Sequence, residues 1–198
     1  MQTRSARFAD RRAAGRDLAV PILRLGLSDP IVVAISPGGV HPGFEIARAL
    51  AAPLHLLPSK DDDAAARYHP DSSLNVLRRS VLLVDDGAAP SQDILAAAHE
   101  LRREGASRIV LAAPVLHGSL IDTIEPIFDE LIYLLRGSDD ERIADQFLEF
   151  HDVGDNEIRH FLRDLRDPHS PPAPPLEDGF KTADRPILRL RTPPVNPA

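Results

Sequence analysis

Two adjacent aspartates, Asp85 and Asp86, follow a short apolar run and precede a stretch of small residues. The apolar run, residues 81–84, has the length and composition of a strand that is buried on both faces of a parallel sheet. In α/β proteins, ligands bind beyond the carboxyl ends of such strands, where a turn leads into the N-terminus of a helix. Paired carboxylates at this position suit the hydroxyl groups of a ribose or a hydrated Mg²⁺ ion. A simpler interpretation is that both acids cap the loop or face solvent.

The turn after the two aspartates would face a phosphate group of the same ligand, and a helix is predicted beyond it over residues 94–104. The residues of the turn are Gly87, Ala88, Ala89, Pro90, Ser91, Gln92 and Asp93. A second turn, formed by Gly38 and Gly39, follows another apolar run and is expected at the same edge of the sheet. Each motif also has a structural explanation, because glycine pairs serve turns with positive φ and Asp93 is an ordinary N-cap residue.

Strand-length apolar runs alternate with helical segments along the chain, which predicts an α/β fold with a mostly parallel central sheet of about five strands flanked by helices. The polar stretch between the second and third strands is predicted to be a loop. Strands are predicted at residues 31–35, 54–57, 81–84, 108–113 and 130–135, helices at 8–25, 43–51, 94–104 and 155–165, and the loop at 59–73.

The composition changes at Pro168, after which nine of the chain's 19 prolines occur, Pro168 included. A segment so rich in proline cannot bury enough apolar surface to offset its ordering entropy. The sequence therefore predicts one domain over residues 1–167 and a disordered proline-rich tail over residues 168–198. We expect the tail to be dispensable for folding, unless residues 186–191 dock on the domain or on a neighbouring molecule.

The overall composition excludes several classes of function. The formal net charge of −7 argues against a nucleic-acid-binding face, which requires a basic patch. The chain contains no cysteine, so thiolate chemistry and disulfides are excluded. No apolar run reaches the roughly 18 residues of a membrane helix, and the first residues lack the apolar core of a signal peptide. We therefore expect a cytoplasmic protein that binds neither nucleic acid nor membrane.

Five blocks of sequence follow one another along the chain: Phe8–Ala19, Ile35–Ala47, the Asp-Asp segment, Ala113-Pro114 with Asp129-Glu130, and Phe147–Ile158. In this order they resemble the type I phosphoribosyltransferase-domain family over about residues 8 to 162. The resemblance implies a phosphoribosyltransferase-like fold with a small hood, and transfer of ribose 5-phosphate from PRPP with Mg²⁺. In that family the catalytic aspartate pair, here Asp85 and Asp86, holds the ribose hydroxyls, and the turns at 38–39 and 87–91 face the phosphates.

The chain departs from the family pattern where phosphates would bind. Pro37 stands where the family has an arginine, so a positive charge and a backbone donor are lost together. Pro90, Ser91 and Asp93 stand where threonine, glycine and threonine are expected, and a carboxylate near a phosphate is unfavourable. The segment 58–80 is also shorter and more acidic than the family's flexible cover. These departures favour a second hypothesis, a non-catalytic descendant that senses a small phosphorylated ligand or serves as a partner subunit.

A homodimer is also expected, because the family commonly dimerises and the chain has more apolar side chains in two places than one sheet face requires. Two groups carry this expectation: Leu116, Leu120, Ile121, Ile124, Ile127 and Phe128 near the end of the fourth strand, and Phe147, Phe150 and Phe161 near the end of the domain. The alternative is that the hood and tail cover both groups within one chain.

Overall fold

A central sheet with helices on both faces organises the protein. The computed structural model describes residues 7–57, 74–87, 92–165 and 188–191. Within these ranges a 3-10 helix (Ile143–Gln146) accompanies the helices and strands. In chain order these are α1 (Arg11–Leu23), β1 (Pro30–Ala34), α2 (Val40–Leu50), β2 (Leu54–Leu56), β3 (Ser80–Val84), α3 (Gln92–Arg103), β4 (Arg108–His117), α4 (Gly118–Ile124), β5 (Glu130–Gly137), α5 (Asp155–Asp164) and β6 (Leu188–Arg191).

The described strands form one sheet in the order β2-β1-β3-β4-β5-β6. The first five strands in this order run parallel, and β6 pairs antiparallel with β5. Every residue of β3 is buried, as expected for a continuous apolar run at the centre of a parallel sheet. The predicted α/β fold with a five-stranded parallel sheet is therefore confirmed.

The side chains of β1, β3, β4 and β5 alternate between two apolar cores. Val32 and Ala34 of β1 face the core that α1, α2 and α5 cover, whereas Ile31 and Val33 face the core that α3 and α4 cover. Because both faces of the sheet are covered, the carboxyl ends of the central strands remain as the edge where a ligand can approach.

Helices α1 and α2 pack closely because one of them carries a glycine at the crossing. A Cβ atom at Gly15 would lie 2.5 Å from the Cα of Pro42. Beside this crossing, the buried carboxylate of Glu45 receives hydrogen bonds from the guanidinium groups of Arg12 at 2.7 Å and Arg48 at 2.6 Å. The pairing satisfies a charge that would otherwise be costly to bury.

Most element boundaries differ from those predicted; α1, for example, spans Arg11–Leu23 where a helix over residues 8–25 was predicted. Helix α2 begins at Val40, not at residue 43, because Pro42 lies in the first turn, where a backbone N–H is not needed. Strands β4 and β5 continue to His117 and Gly137, beyond the predicted ends at residues 113 and 135. Beyond the end of β3 they still pair with each other, even though Pro114 interrupts the strand pattern in the sequence.

Helix α4 was not predicted, and it changes the argument for a dimer. The structure buries Leu120, Ile121, Ile124 and Phe128 to 2% exposure or less within one chain. The apolar residues after the fourth strand therefore need no partner subunit to cover them. In the second group Phe147 and Phe161 are also buried, and Phe150 is 36% exposed. The homodimer stays a prediction, supported by the family resemblance.

The docking that the sequence left open for residues 186–191 occurs for residues 188–191, which form β6. The four residues pair with Glu130, Leu131, Ile132 and Tyr133 of β5. Two reasons explain the strand. Residues 187–192 contain no proline and residues 188–191 alternate apolar and polar side chains, and β5 would otherwise present unpaired backbone groups at the edge of the sheet. The predicted loop at 59–73 and the remainder of the tail lie outside the described residues. No helix in the described ranges is long and apolar enough to cross a membrane.

Ending the chain after residue 167 should lower the melting temperature by about 3 °C or more. The truncation removes the backbone partner of β5 and exposes a strand edge, and about 1 kcal/mol corresponds to a few degrees in a domain of this size. Differential scanning fluorimetry measures the shift. The matched control ends after residue 191, which keeps β6 and should melt within about one degree of the full chain. Equal melting temperatures for both truncations would show that β6 does not stabilise the domain.

Candidate functional site

The turn after β1 and the aspartates after β3 lie together at the carboxyl edge of the sheet. The hydroxyl of Ser36 donates a hydrogen bond of 2.6 Å to Oδ1 of Asp85, and it accepts one of 3.1 Å from the backbone N–H of Gly39. The N–H of Ile35 donates to the carbonyl of Val84 at 2.9 Å, which continues the β1–β3 pairing up to the site. The two predicted motifs thus meet in one cleft.

The glycines of the cleft are required by close approach, whereas a positive φ was predicted for them. A Cβ atom at Gly38 would overlap the carboxylate of Asp86, and one at Gly39 would lie 2.6 Å from the carbonyl oxygen of Val84. Neither glycine has a positive φ, since the positive-φ glycines of the described chain are Gly26 and Gly105. The turn therefore needs glycine to bring its backbone against the aspartate pair.

The carboxyl group of Asp85 has an unusual pKa. Burial raises the pKa of Asp85 from 3.8 to about 7, with a further contribution in the same direction from the charge of Asp86, while the hydrogen bond from Ser36 opposes both effects. The backbone N–H of Asp86 also donates to Oδ1 of Asp85 at 3.1 Å. Near neutral pH, Asp85 is therefore poised between a neutral acid and a carboxylate, so it can either donate or accept a proton in the cleft.

Asp86 contacts an arginine that the sequence prediction missed. Nε of Arg11 in α1 donates to Oδ2 of Asp86 at 2.6 Å, and Nη1 of Arg11 donates to the carbonyl of His151 at 2.7 Å. The guanidinium group also stacks 3.5 Å from the centre of the Phe150 ring. Arg11 belongs to the first block of the family resemblance, but no local pattern signalled that it would reach a residue 75 positions away.

Residues 143–154, here called the hood, cover the cleft from the side of α1. The backbone of the hood joins the start of the described chain, where Leu148 N–H donates to Phe8 C=O at 2.9 Å and the rings of Phe8 and Phe147 pack at 5.3 Å. At the other end, a Cβ atom at Gly87 would overlap Ile143. The hood therefore lies directly on the turn that follows the aspartate pair.

A buried histidine packs against α5, the helix that follows the hood. His41 lies in the first turn of α2, with Nε2 3.2 Å from Oε1 of Glu157 and its ring 5.0 Å from that of Phe161. Burial lowers the pKa of His41, and the charge of Glu157 only partly offsets that effect. The ring is therefore neutral at pH 7 and acts mainly in packing.

The phosphate-facing turn is described only at its two ends. Gly87 lies under the hood, and Asp93 is exposed in the first turn of α3, whose first residue is Gln92. The candidate residues Ala88, Ala89, Pro90 and Ser91 lie outside the described residues. The position of Asp93 places a carboxylate where an anionic ligand would otherwise find the positive end of the helix dipole.

The described residues do not form a cation site of their own. No three histidine or acidic side chains in the described ranges come together to hold a metal ion. Of the aspartate pair, Asp86 already binds Arg11, and Asp85 receives two hydrogen bonds. The donor set therefore does not fit a Mg²⁺ ion held by protein groups alone.

Comparison with known proteins gives relatives of one kind. No family model matches the chain. Two curated Mycobacterium tuberculosis proteins, from strains CDC 1551 / Oshkosh and ATCC 25618 / H37Rv, are each 25% identical to it, over 78% of this chain and 46% of the relative. Both carry the name "Putative phosphoribosyl transferase". The chain thus spans about half the length of the curated relatives it matches.

Solved structures extend this likeness to the fold. The crystal structure of TT1426 from Thermus thermophilus matches with a TM-score of 0.72 and 24% identity, covering 80% of this chain and 99% of that chain. A purine phosphoribosyltransferase from Pyrococcus horikoshii Ot3 matches at 15% identity over 65% of this chain and 87% of that chain, and its TM-score of 0.44 is too low to carry weight. The predicted resemblance is confirmed as a likeness: the chain is similar in sequence to two proteins named as phosphoribosyl transferases, and it shares its fold with TT1426.

Replacing Asp85 by Asn should stabilise the protein more at pH 8 than at pH 5. The pKa of Asp85 is about 7 in the folded protein, against 3.8 for an unperturbed group, so the folded state keeps a proton that the unfolded chain releases. The free energy of unfolding therefore falls as the pH rises from about 4 to 7. Because Asn does not ionise, the variant should gain roughly 1–2 kcal/mol over the parent by pH 8. Thermal unfolding at pH 5, 6, 7 and 8 measures the difference.

Asp86→Asn is the matched control for this experiment. It leaves the buried guanidinium of Arg11 without its carboxylate partner, so it should lower the melting temperature at pH 5 and at pH 8. An Asp85→Asn variant whose gain is the same at all four pH values would show that Asp85 is ionised throughout the range.

Proposed function

We propose that this protein is a phosphoribosyltransferase-like protein in which transfer of ribose 5-phosphate from PRPP is weak or lost, and whose cleft binds a small phosphorylated ligand that carries a ribose. The observation that carries the proposal is the contrast within one cleft. Asp85 and Asp86, which would face a ribose, lie beside the Gly38-Gly39 turn, whereas the helix that would receive a phosphate carries an exposed Asp93 in its first turn.

The ribose part of the cleft supports binding. Two adjacent carboxylates at a strand end can accept hydrogen bonds from the two neighbouring hydroxyls of a ribose. The glycine turn brings backbone groups against the same carboxylates, so a ring bound there would have polar contacts on two sides. The elevated pKa of Asp85 adds a group that can share a proton with a hydroxyl near neutral pH.

The phosphate part argues against efficient transfer. Asp93 repels a phosphate at the N-terminus of α3, and Pro37 offers neither a guanidinium nor an N–H in the turn after β1. The alignment with the curated relatives is 204 positions long, but it includes only 78% of the 198 residues of this chain. Some aligned positions are therefore occupied only in the relatives, which carry insertions that this chain lacks. A shortened segment 58–80 would fit that difference.

No step of this proposal passes through a metal ion. In the family, Mg²⁺ screens the charge of the pyrophosphate group. Since the described residues do not hold a cation by themselves, Mg²⁺ would have to arrive with the phosphate oxygens of the ligand. The contribution of this chain is to orient the ribose at Asp85 and Asp86 and to exclude water beneath the hood.

PRPP, with or without Mg²⁺, should bind the protein with no dissociation constant below about 1 mM, which corresponds to roughly −4 kcal/mol. Isothermal titration calorimetry measures binding, and a pyrophosphate-release assay with common nucleobases measures transfer. Micromolar binding or steady release of pyrophosphate would overturn the proposal that transfer is weak.

Restoring the family residues of the phosphate-facing turn should strengthen phosphate binding. The variant Pro90→Thr/Ser91→Gly/Asp93→Thr gains a backbone donor and two threonine hydroxyls, and it loses the Ser91 hydroxyl and one negative charge, so PRPP affinity should rise about tenfold. Glu104→Gln, which removes a negative charge just beyond the opposite end of α3, is the charge control and should change the affinity less than about twofold. If the restored turn binds no better than the parent, the turn does not limit the cleft.

A further inference from the structure

We infer that Arg11 is an internal ligand of Asp86 that limits access of ribose-bearing ligands to the cleft, an inference that rests on the proposed function. Nε of Arg11 lies 2.6 Å from Oδ2 of Asp86, and the side chains are only 7% and 14% exposed. The backbone of Gly38 closes the carboxylate from another direction. A ribose hydroxyl that is to bind Asp86 must therefore compete with Arg11 for the same acceptor.

The guanidinium group of Arg11 joins three parts of the structure at the cleft. It belongs to α1, it binds the carboxylate after β3, and it contacts the hood through the carbonyl of His151 and the ring of Phe150. The hood in turn packs on Gly87 through Ile143. The contacts that fix the hood over the cleft are thus the same contacts that cover Asp86.

The energetics favour Arg11 over a ribose hydroxyl. A guanidinium group binds a carboxylate through charge attraction as well as a hydrogen bond, whereas a hydroxyl offers only the hydrogen bond, and a buried ion pair is little screened by salt. If a ligand binds only when Arg11 has moved, its apparent affinity is the intrinsic affinity multiplied by the fraction of molecules in which Asp86 is free. Removing Arg11 should remove that reduction.

The test compares the Arg11→Ala variant with the parent, using ribose 5-phosphate without Mg²⁺ as the probe in isothermal titration calorimetry. Removing a cation weakens the attraction for an anionic ligand, so general electrostatics predicts weaker binding by the variant. The inference predicts the opposite, a dissociation constant about tenfold lower than that of the parent. The two explanations therefore differ in sign.

Two controls distinguish the effect of freeing the Asp86 carboxylate from the effect of removing a positive charge. Arg24→Ala removes an exposed cation beside the last turn of α1 and should leave the affinity unchanged or slightly lower. With 2-deoxyribose 5-phosphate, which lacks one ribose hydroxyl, the gain from Arg11→Ala should shrink to about twofold. A gain of equal size with both sugars would show that the hydroxyls are not what Arg11 displaces, and would overturn the inference.

A second variant keeps the test decisive if Arg11→Ala does not fold. Arg11→Lys keeps the charge but cannot reach Asp86 and the carbonyl of His151 together in the same way, so a gain of about threefold is expected. In the parent protein, the NMR signal of the Arg11 Nε–H should shift when ribose 5-phosphate is added at high concentration. No gain for the lysine variant, together with an unchanged Nε–H signal, would overturn the inference.

The outcomes also separate this inference from the proposed function. Tight PRPP binding or pyrophosphate release by the parent would overturn the proposed function. A weakly binding parent whose Arg11→Ala variant binds ribose 5-phosphate no more tightly would leave the proposed function standing and would overturn only the role of Arg11.

Discussion

Two carboxylates next to each other at the end of a buried strand repel each other, and the surroundings of Asp85 and Asp86 are arranged around that repulsion. The pKa of Asp85 rises towards neutrality, so one of the two groups can remain uncharged, while Asp86 pairs with Arg11. The pair fits only because Gly38 leaves room beside it. Helix α1 and the first glycine turn each contact this pair directly, and the hood contacts it through Arg11.

This arrangement joins the stability of the fold to the candidate site. Arg11 fastens the hood to the sheet, yet it does so by using a carboxylate that a ligand would need. A substitution that frees Asp86 for binding therefore also loosens the hood. Stability and binding oppose each other here, as they often do where a site keeps polar groups that an apolar core would not tolerate.

The sequence predicted the elements whose signals are local. Continuous apolar runs located β1, β2 and β3, and the aspartates after β3 indicated where a ligand would bind. The extensions of β4 and β5 were missed because Pro114 reads as a strand end, although the two strands continue to pair with each other beyond it. Helix α4 was missed because its apolar residues, which directly follow a strand, were interpreted as a surface for a partner subunit. The structure shows that they pack into the core on one face of the sheet.

The parts of the site that sequence reasoning missed depend on long-range contacts. The contact of Arg11 with Asp86 joins residues 75 positions apart, and its contact with His151 joins residues 140 positions apart. Gly38 was recognised as a turn residue, but for the wrong reason, because the close approach of a carboxylate to its backbone has no counterpart in a local pattern. Periodicity and turn rules locate elements, whereas these contacts depend on how distant elements pack.

The pairing of β6 with β5 has a consequence for synthesis on the ribosome. About fifty residues separate the end of β5 from the start of β6, so the outer edge of β5 is made well before its partner. At roughly 5–20 residues per second, this edge waits several seconds with unpaired backbone groups. During that interval it is a template for another nascent chain, and chaperone binding to that edge would protect the protein until translation reaches the last strand.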